Sequence, residues 1–136
     1  MKVGIILFPG SNCAEDAKLF FEKRGDECFY IWHKEDDIHK FKIDLLIIPG
    51  GFAFGDRDYT NATDKSFSIN PGKMALDSPV AKLINQSKDE HIPIIGICNG
   101  FQILTKMGLL EGELLLNNNN KFTCRGVNCV IETDIV

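Results

Sequence analysis

The residues best suited to chemistry lie in the stretch Ile92-Pro93-Ile94-Ile95-Gly96-Ile97-Cys98-Asn99-Gly100-Phe101-Gln102-Ile103-Leu104. A short apolar run ends in Gly-x-Cys-x-Gly, and a helical pattern begins at once. Strand, sharp turn and helix with a reactive side chain at the apex make a nucleophile elbow. Gly96 and Gly100 flank the turn where side chains would crowd it. Cys98 would then stand at a helix N-terminus, a position that favours negative charge on sulfur. A cysteine by itself is more often a small buried core residue. The flanking glycines and the strand-to-helix context shift the reading to a nucleophile.

A thiol nucleophile acting on an amide or ester needs an oxyanion hole and a base. The stretch Pro49-Gly50-Gly51-Phe52-Ala53-Phe54-Gly55-Asp56 follows an apolar strand, and its paired glycines allow backbone N–H groups to face a ligand. The N–H of Asn99 and that of Gly51 or Phe52 are the candidate oxyanion donors. Gln102, one helical turn past Cys98, is a candidate pocket residue, although a surface glutamine fits the spacing equally well. The base is harder to find. The histidines are His33, His39 and His91. His91 precedes the elbow strand and belongs at the opposite sheet edge. With a strand order of 2-1-3-4, His33 lies three strand spacings away, ~14 Å. His39 sits in a polar connector. All three read as solvated or packing histidines.

These groups must be held by a sheet. Val3 to Phe8, Glu27 to Trp32, Asp44 to Ile48 and Ile92 to Ile97 read as strands, the first and third as fully apolar as buried parallel strands are. Helices are expected from Ser11 or Asn12, as caps, to Gly25, from Ser78-Pro79 onward, and from the elbow to a stop at Gly108. Glu15, three residues beyond Asn12, suits a capping box. Val80, Ala81, Leu83 and Ile84 should face inward. Arg57 to Asp77 shows little periodicity and reads as a long functional loop. Asn117 to Asn120 reads as a polar turn. Gly112 to Leu116 and Phe122 to Glu132 read as further strands. The order predicts an α/β, flavodoxin-like, doubly wound and mostly parallel sheet in one domain, with ligands bound beyond the carboxyl ends of its strands.

A net charge of −4 gives no electrostatic case for nucleic acid or an anionic membrane. No apolar run approaches the ~20 residues of a membrane span, and residues 1–7 lack a signal-peptide pattern. Five cysteines, Cys13, Cys28, Cys98, Cys124 and Cys129, make an odd number without a C-x-x-C pair. They read as reduced thiols in the cytoplasm, with neither a disulfide frame nor a metal site.

Several blocks together carry a resemblance: Phe8-Pro9-Gly10-Ser11-Asn12-Cys13, Pro49 to Asp56, Gly96 to Leu104, Gly108-Leu109-Leu110 and Lys121-Phe122-Thr123-Cys124-Arg125. The chain resembles the class I (triad) glutamine amidotransferases, and among them the glutaminase subunits of phosphoribosylformylglycinamidine synthases. The resemblance implies hydrolysis of glutamine through a Cys98 glutamyl-thioester. It implies ammonia delivery to a large synthetase subunit that uses ATP to make formylglycinamide amidine ribonucleotide in purine biosynthesis, with a small accessory subunit in the complex. It places Gly51, Phe52 and Asn99 in the oxyanion region and Gln102 in the glutamine pocket, and implies no cofactor for this chain. Family members continue beyond the point matching Val136, into a segment bearing a His-x-Glu pair. Residues 1–136 are therefore expected to be the N-terminal part of one such domain, incomplete at the C-terminus and inactive alone. The competing expectation is a non-catalytic binding or assembly module. A different cysteine enzyme on a similar sheet, of the DJ-1 or dienelactone-hydrolase kind, is a third.

Overall fold

The computed structural model describes residues 1–53, 71–121 and 123–130. Four strands form one parallel sheet: β1 (Lys2–Leu7), β2 (Glu27–Trp32), β3 (Leu45–Ile48) and β4 (Ile94–Gly96), in the order β2-β1-β3-β4. This is the expected α/β class, and the order agrees with the first four strands of a flavodoxin-like sheet. Leu7 pairs with Trp32, Ile5 with Ile47 and Ile48 with Gly96. The strand ends that carry the candidate residues therefore share one edge.

The alternating directions of strand side chains divide the core in two. Val3, Ile5, Leu45 and Ile47 face Ala14 and Phe21 of α1 (Ala14–Lys23). Ile6, Ile31, Leu46 and Ile48 face Leu83 and Ile84 of α2 (Val80–Asp89) and Ile103 and Leu104 of α3 (Asn99–Lys106). Helices on both faces explain why β3 reads Leu-Leu-Ile-Ile with every residue buried. Each fully buried Leu or Ile contributes about 2 kcal/mol. Val80, Ala81, Leu83 and Ile84 are all buried, as their spacing predicts. Gly25 and Gly108 follow α1 and α3 with φ of +85° and +68°. No helix among the described residues is long and apolar enough to cross a membrane.

Three local expectations are corrected. The N-cap of α1 is Cys13, with no side-chain cap. Ser11 Oγ instead accepts the Phe8 N–H at 3.1 Å, and Glu15 takes the Tyr30 hydroxyl rather than closing a capping box. Burial, and secondarily the hydrogen bond to that carboxylate, pushes the Tyr30 pKa up to about 12. Within the segment read as a loop, Lys73–Asp77 forms a 3₁₀ turn, as does Ile38–Lys40 nearer the N-terminus. Residues 54–70 lie outside the described residues.

The third correction concerns the C-terminal strands. Residues 113–117 and 123–130 have no regular structure, while 122 and 131–136 lie outside the described residues. Among the described residues no strand pairs with this segment, and Val127 and Val130 are exposed. Alternating apolar residues do not hold a strand without a ladder to satisfy their N–H and C=O groups. Asn117 to Asn120 does form a turn, with Asn120 N–H on Asn117 O at 2.8 Å.

His33 pins β2 to the start of α2. Its carbonyl accepts the Ser78 hydroxyl at 2.7 Å and the Val80 N–H at 3.1 Å. The one Ser78 proton is thus committed, so His33 Nδ1 donates to Ser78 Oγ at 3.2 Å. Burial, and secondarily Lys34, lowers the His33 pKa from 6.5. The folded state therefore favours the neutral ring, and the unfolded chain binds the proton more readily. The resulting stability is present above about pH 6.5 and is lost as pH falls through the folded-state pKa. Urea unfolding across pH 5 to 8 should show wild-type protein losing stability on acidification more steeply than His33→Gln. Parallel curves would show that His33 does not contribute.

Candidate active site

At the end of β4 the chain turns abruptly into α3. Ile97 N–H still bonds Ile48 O at 3.0 Å, so the ladder runs to the residue before Cys98. Gly100 N–H then bonds Ile97 O at 2.9 Å, closing the turn. Cys98 at the apex has φ +54° and ψ −108°. This left-handed conformation strains a residue with a Cβ, and a nucleophile elbow imposes it to lift the reactive atom clear of the sheet. Cys98 is exposed.

Both flanking glycines are required by close approach. A Cβ on Gly96 would lie 2.6 Å from Leu104 Cδ1 and 2.7 Å from Gly100 O. A Cβ on Gly100 would lie 2.0 Å from Ile48 O. The start of α3 thus rests directly on the β3 backbone.

The Pro49-Gly50-Gly51-Phe52 loop faces the elbow. The position of a Cβ on Gly50 is 3.3 Å from Cys98 Cβ and 3.8 Å from Cys13 Sγ. Gly51 has φ +143°, and a Cβ there would lie 2.4 Å from Gly10 O. The Gly10-Ser11-Asn12 turn is packed beneath this loop and holds it. Phe52 N–H bonds Gly10 O at 2.8 Å, and Cys13 N–H bonds Gly50 O at 3.3 Å. The Phe52 N–H is therefore engaged in loop packing, while its side chain is exposed. Among the described residues no acceptor takes the N–H of Gly51 or of Asn99. These two remain the oxyanion candidates. The Asn99 N–H is one of the unpaired donors of the first helical turn.

The side chain of Asn99 is buried at 1% exposure, and its Nδ2 donates to Gln102 Oε1 at 3.1 Å. Gln102 N–H bonds Cys98 O at 3.2 Å. The sequence reading used Asn99 only for its backbone and missed its side chain. The three-residue spacing between two amides on a helix was the available signal.

The histidines are held elsewhere. His33 binds Ser78, His39 Nε2 is 3.2 Å from Glu90, and His91 follows α2 with φ +59°. Among the described residues no hydrogen bond or ion pair joins any of them to Cys98. Among the described residues no group of three His, Cys, Asp or Glu side chains is arranged to hold a metal.

The carboxyl edge thus joins an exposed, strained cysteine, backbone donors without an acceptor among the described residues, and a tethered glutamine amide, an arrangement compatible with attack on an amide or ester carbonyl. The chain is 42% identical over 97% of its length to the phosphoribosylformylglycinamidine synthase subunit PurQ of Thermus thermophilus, covering 52% of that protein. It is 38% identical to the PurQ subunit of Roseobacter denitrificans, over 98% of this chain and 54% of that one. A solved structure of PurLQS from Thermotoga maritima superposes with a TM-score of 0.73 at 36% identity, over 91% of this chain and 52% of that chain. The chain spans about half the length of the curated relatives it matches. The model of the CobB/CobQ-like glutamine amidotransferase domain matches residues 1–135, and the chain belongs to that family.

Proposed function

We infer that this chain is the nucleophile-bearing, N-terminal part of a single amidotransferase domain, the glutaminase of a phosphoribosylformylglycinamidine synthase. The observation that carries the reading is the positive-φ Cys98 set against Gly50 of the Pro49-Gly50-Gly51-Phe52 loop, in a chain of this family. Cys98 Sγ attacks the side-chain amide carbon of glutamine, forming a C–S bond. The N–H groups of Asn99 and Gly51 donate hydrogen bonds to the amide oxygen as negative charge develops on it. The C–N bond breaks and nitrogen leaves as ammonia after taking a proton. Water then cleaves the thioester, releasing glutamate and restoring the thiol. The similarity to PurLQS supports a synthetase partner, and a small accessory subunit would complete the complex. That partner would spend ATP on converting formylglycinamide ribonucleotide to its amidine, in the cytoplasm, leaving this chain without need of a cofactor.

The base is the part this chain does not supply, since its histidines are held by Ser78, by Glu90 and at the end of α2. On this reading a His-x-Glu pair enters from the half of the family's length that lies outside these residues. The test is glutamine hydrolysis by the 136-residue chain and by a form carried to the full length of its relatives, each with and without Cys98. Negligible turnover by the short form and Cys98-dependent turnover by the long one are expected. Steady turnover by the short form that is lost in Cys98→Ala would place a base within these residues. Inactivity of both with the synthetase present would overturn the catalytic reading in favour of a binding or assembly role.

A further inference from the structure

The site contains one buried polar side chain that the steps above do not use, that of Asn99. It occupies the first turn of α3, next to Cys98, and is shielded from solvent. A buried amide requires partners, and here Nδ2 is committed to Gln102 Oε1 at 3.1 Å. Gln102 is half-buried and lies four residues past Cys98, on the same helical face. Side chains on a helix lean toward its N-terminus, which brings the Gln102 amide toward the elbow. The backbone beneath it is fixed. Buried Gly72, with φ +83°, approaches so closely that a Cβ there would lie 2.8 Å from Ile103 N and 2.9 Å from Gln102 C.

An unrestrained glutamine amide can present either its oxygen or its nitrogen to a ligand, because the two ends are nearly the same size. With Oε1 held toward Asn99 Nδ2, turning the amide over would cost that bond, so the Nε2 hydrogens are the end directed away from Asn99. We propose that Asn99 is a positioning residue that fixes the Gln102 amide as a hydrogen-bond donor toward an oxygen of the ligand at Cys98. The ligand class is one that offers a carbonyl or carboxylate oxygen about one helical turn from the attacked carbon. A free amino acid with a carboxamide side chain meets that requirement. The inference rests on the glutaminase reading and adds to it which side chain sets the polarity of the pocket.

The test is a double-mutant cycle in the complete amidotransferase assembly, read by alkylation of Cys98. Two reagents are compared: a glutamine-shaped diazo ketone, 6-diazo-5-oxo-L-norleucine, and iodoacetamide, which needs no pocket. Loss of one ligand hydrogen bond corresponds to a rate fall of about threefold to tenfold. Asn99→Leu and Gln102→Leu should each slow the diazo ketone by about that factor while leaving iodoacetamide within about twofold. The double variant should be no slower than Gln102→Leu alone, since Asn99 acts through Gln102. Asn99→Ser, which is too short to reach Gln102, repeats the measurement in case leucine disturbs the turn. The proposal is overturned if the two effects multiply, if Asn99 variants slow both reagents equally, or if they slow neither. A wild-type protein that shows no preference for the glutamine-shaped reagent would instead remove the glutaminase reading, and this proposal with it.

Discussion

Replacing Cys98 with glycine is expected to make the protein more stable while removing its reactivity. On the glutaminase reading Cys98 is the nucleophile, so in a form carried to the full length of its relatives glutamine hydrolysis should fall by about 10⁴-fold or more, as when other covalent nucleophiles are deleted. The backbone at this position carries φ +54° and ψ −108°, a region that costs a side-chain-bearing residue on the order of 1–3 kcal/mol. Glycine enters it without that cost but loses more conformational entropy on folding. Cys98 is exposed and buries little surface that glycine would forfeit. The expected net gain is about 1 kcal/mol in unfolding free energy. Cys98→Ala is the control, since it loses the sulfur and keeps the Cβ. It should be equally inactive but no more stable than wild type. Denaturant unfolding of the three proteins decides the matter. Equal stability of the glycine and alanine variants would show that the elbow stores no strain at Cys98.

The elbow was legible because its pattern is local. Gly96, Cys98 and Gly100 lie within five residues, so the pattern shows in the sequence, although the contact that forces Gly100 comes from Ile48 on a distant strand. The sheet order was legible for a similar reason, as fully apolar runs imply parallel strands with both faces covered. The sequence could not separate the two candidate donors of the Gly50-Gly51-Phe52 loop. Gly51 and Phe52 look alike as donors in the sequence, and only the packing of Gly10 beneath them shows that the Phe52 N–H is consumed. That bond joins residues 42 positions apart, a separation at which spacing rules say nothing. Ser11 and Glu15 were misread because each found a partner other than the α1 cap, the Phe8 N–H and the Tyr30 hydroxyl. The C-terminal strands were misread because strand patterning expresses a fit to a neighbour, and residues 123–130 have none among the described elements.

Gly100→Ala should be the most damaging single-methyl change in the described structure. The added Cβ would sit 2.0 Å from Ile48 O and 2.8 Å from Ile48 C, both backbone atoms of β3, so no side-chain rotation relieves the clash. Alanine is otherwise the better helix former by about 1 kcal/mol, and Gly100 lies in α3, so propensity alone would predict stabilisation. The clash should win by a wide margin. Moving α3 off β3 also disturbs the packing of Ile103 and Leu104, which are buried against the central sheet. A loss of about 3 kcal/mol or more is expected, at the upper end for overpacked cores. The function should suffer further, because the same displacement moves the Asn99 N–H relative to Cys98 and opens the turn that presents the sulfur. Gly108→Ala separates this from a general glycine effect. Nothing lies within 4 Å of a Cβ at Gly108, whose φ is +68°, so only backbone strain of about 1 kcal/mol applies there. If thermal unfolding put the two variants level, the close seating of α3 on β3 would not be what holds the elbow in place.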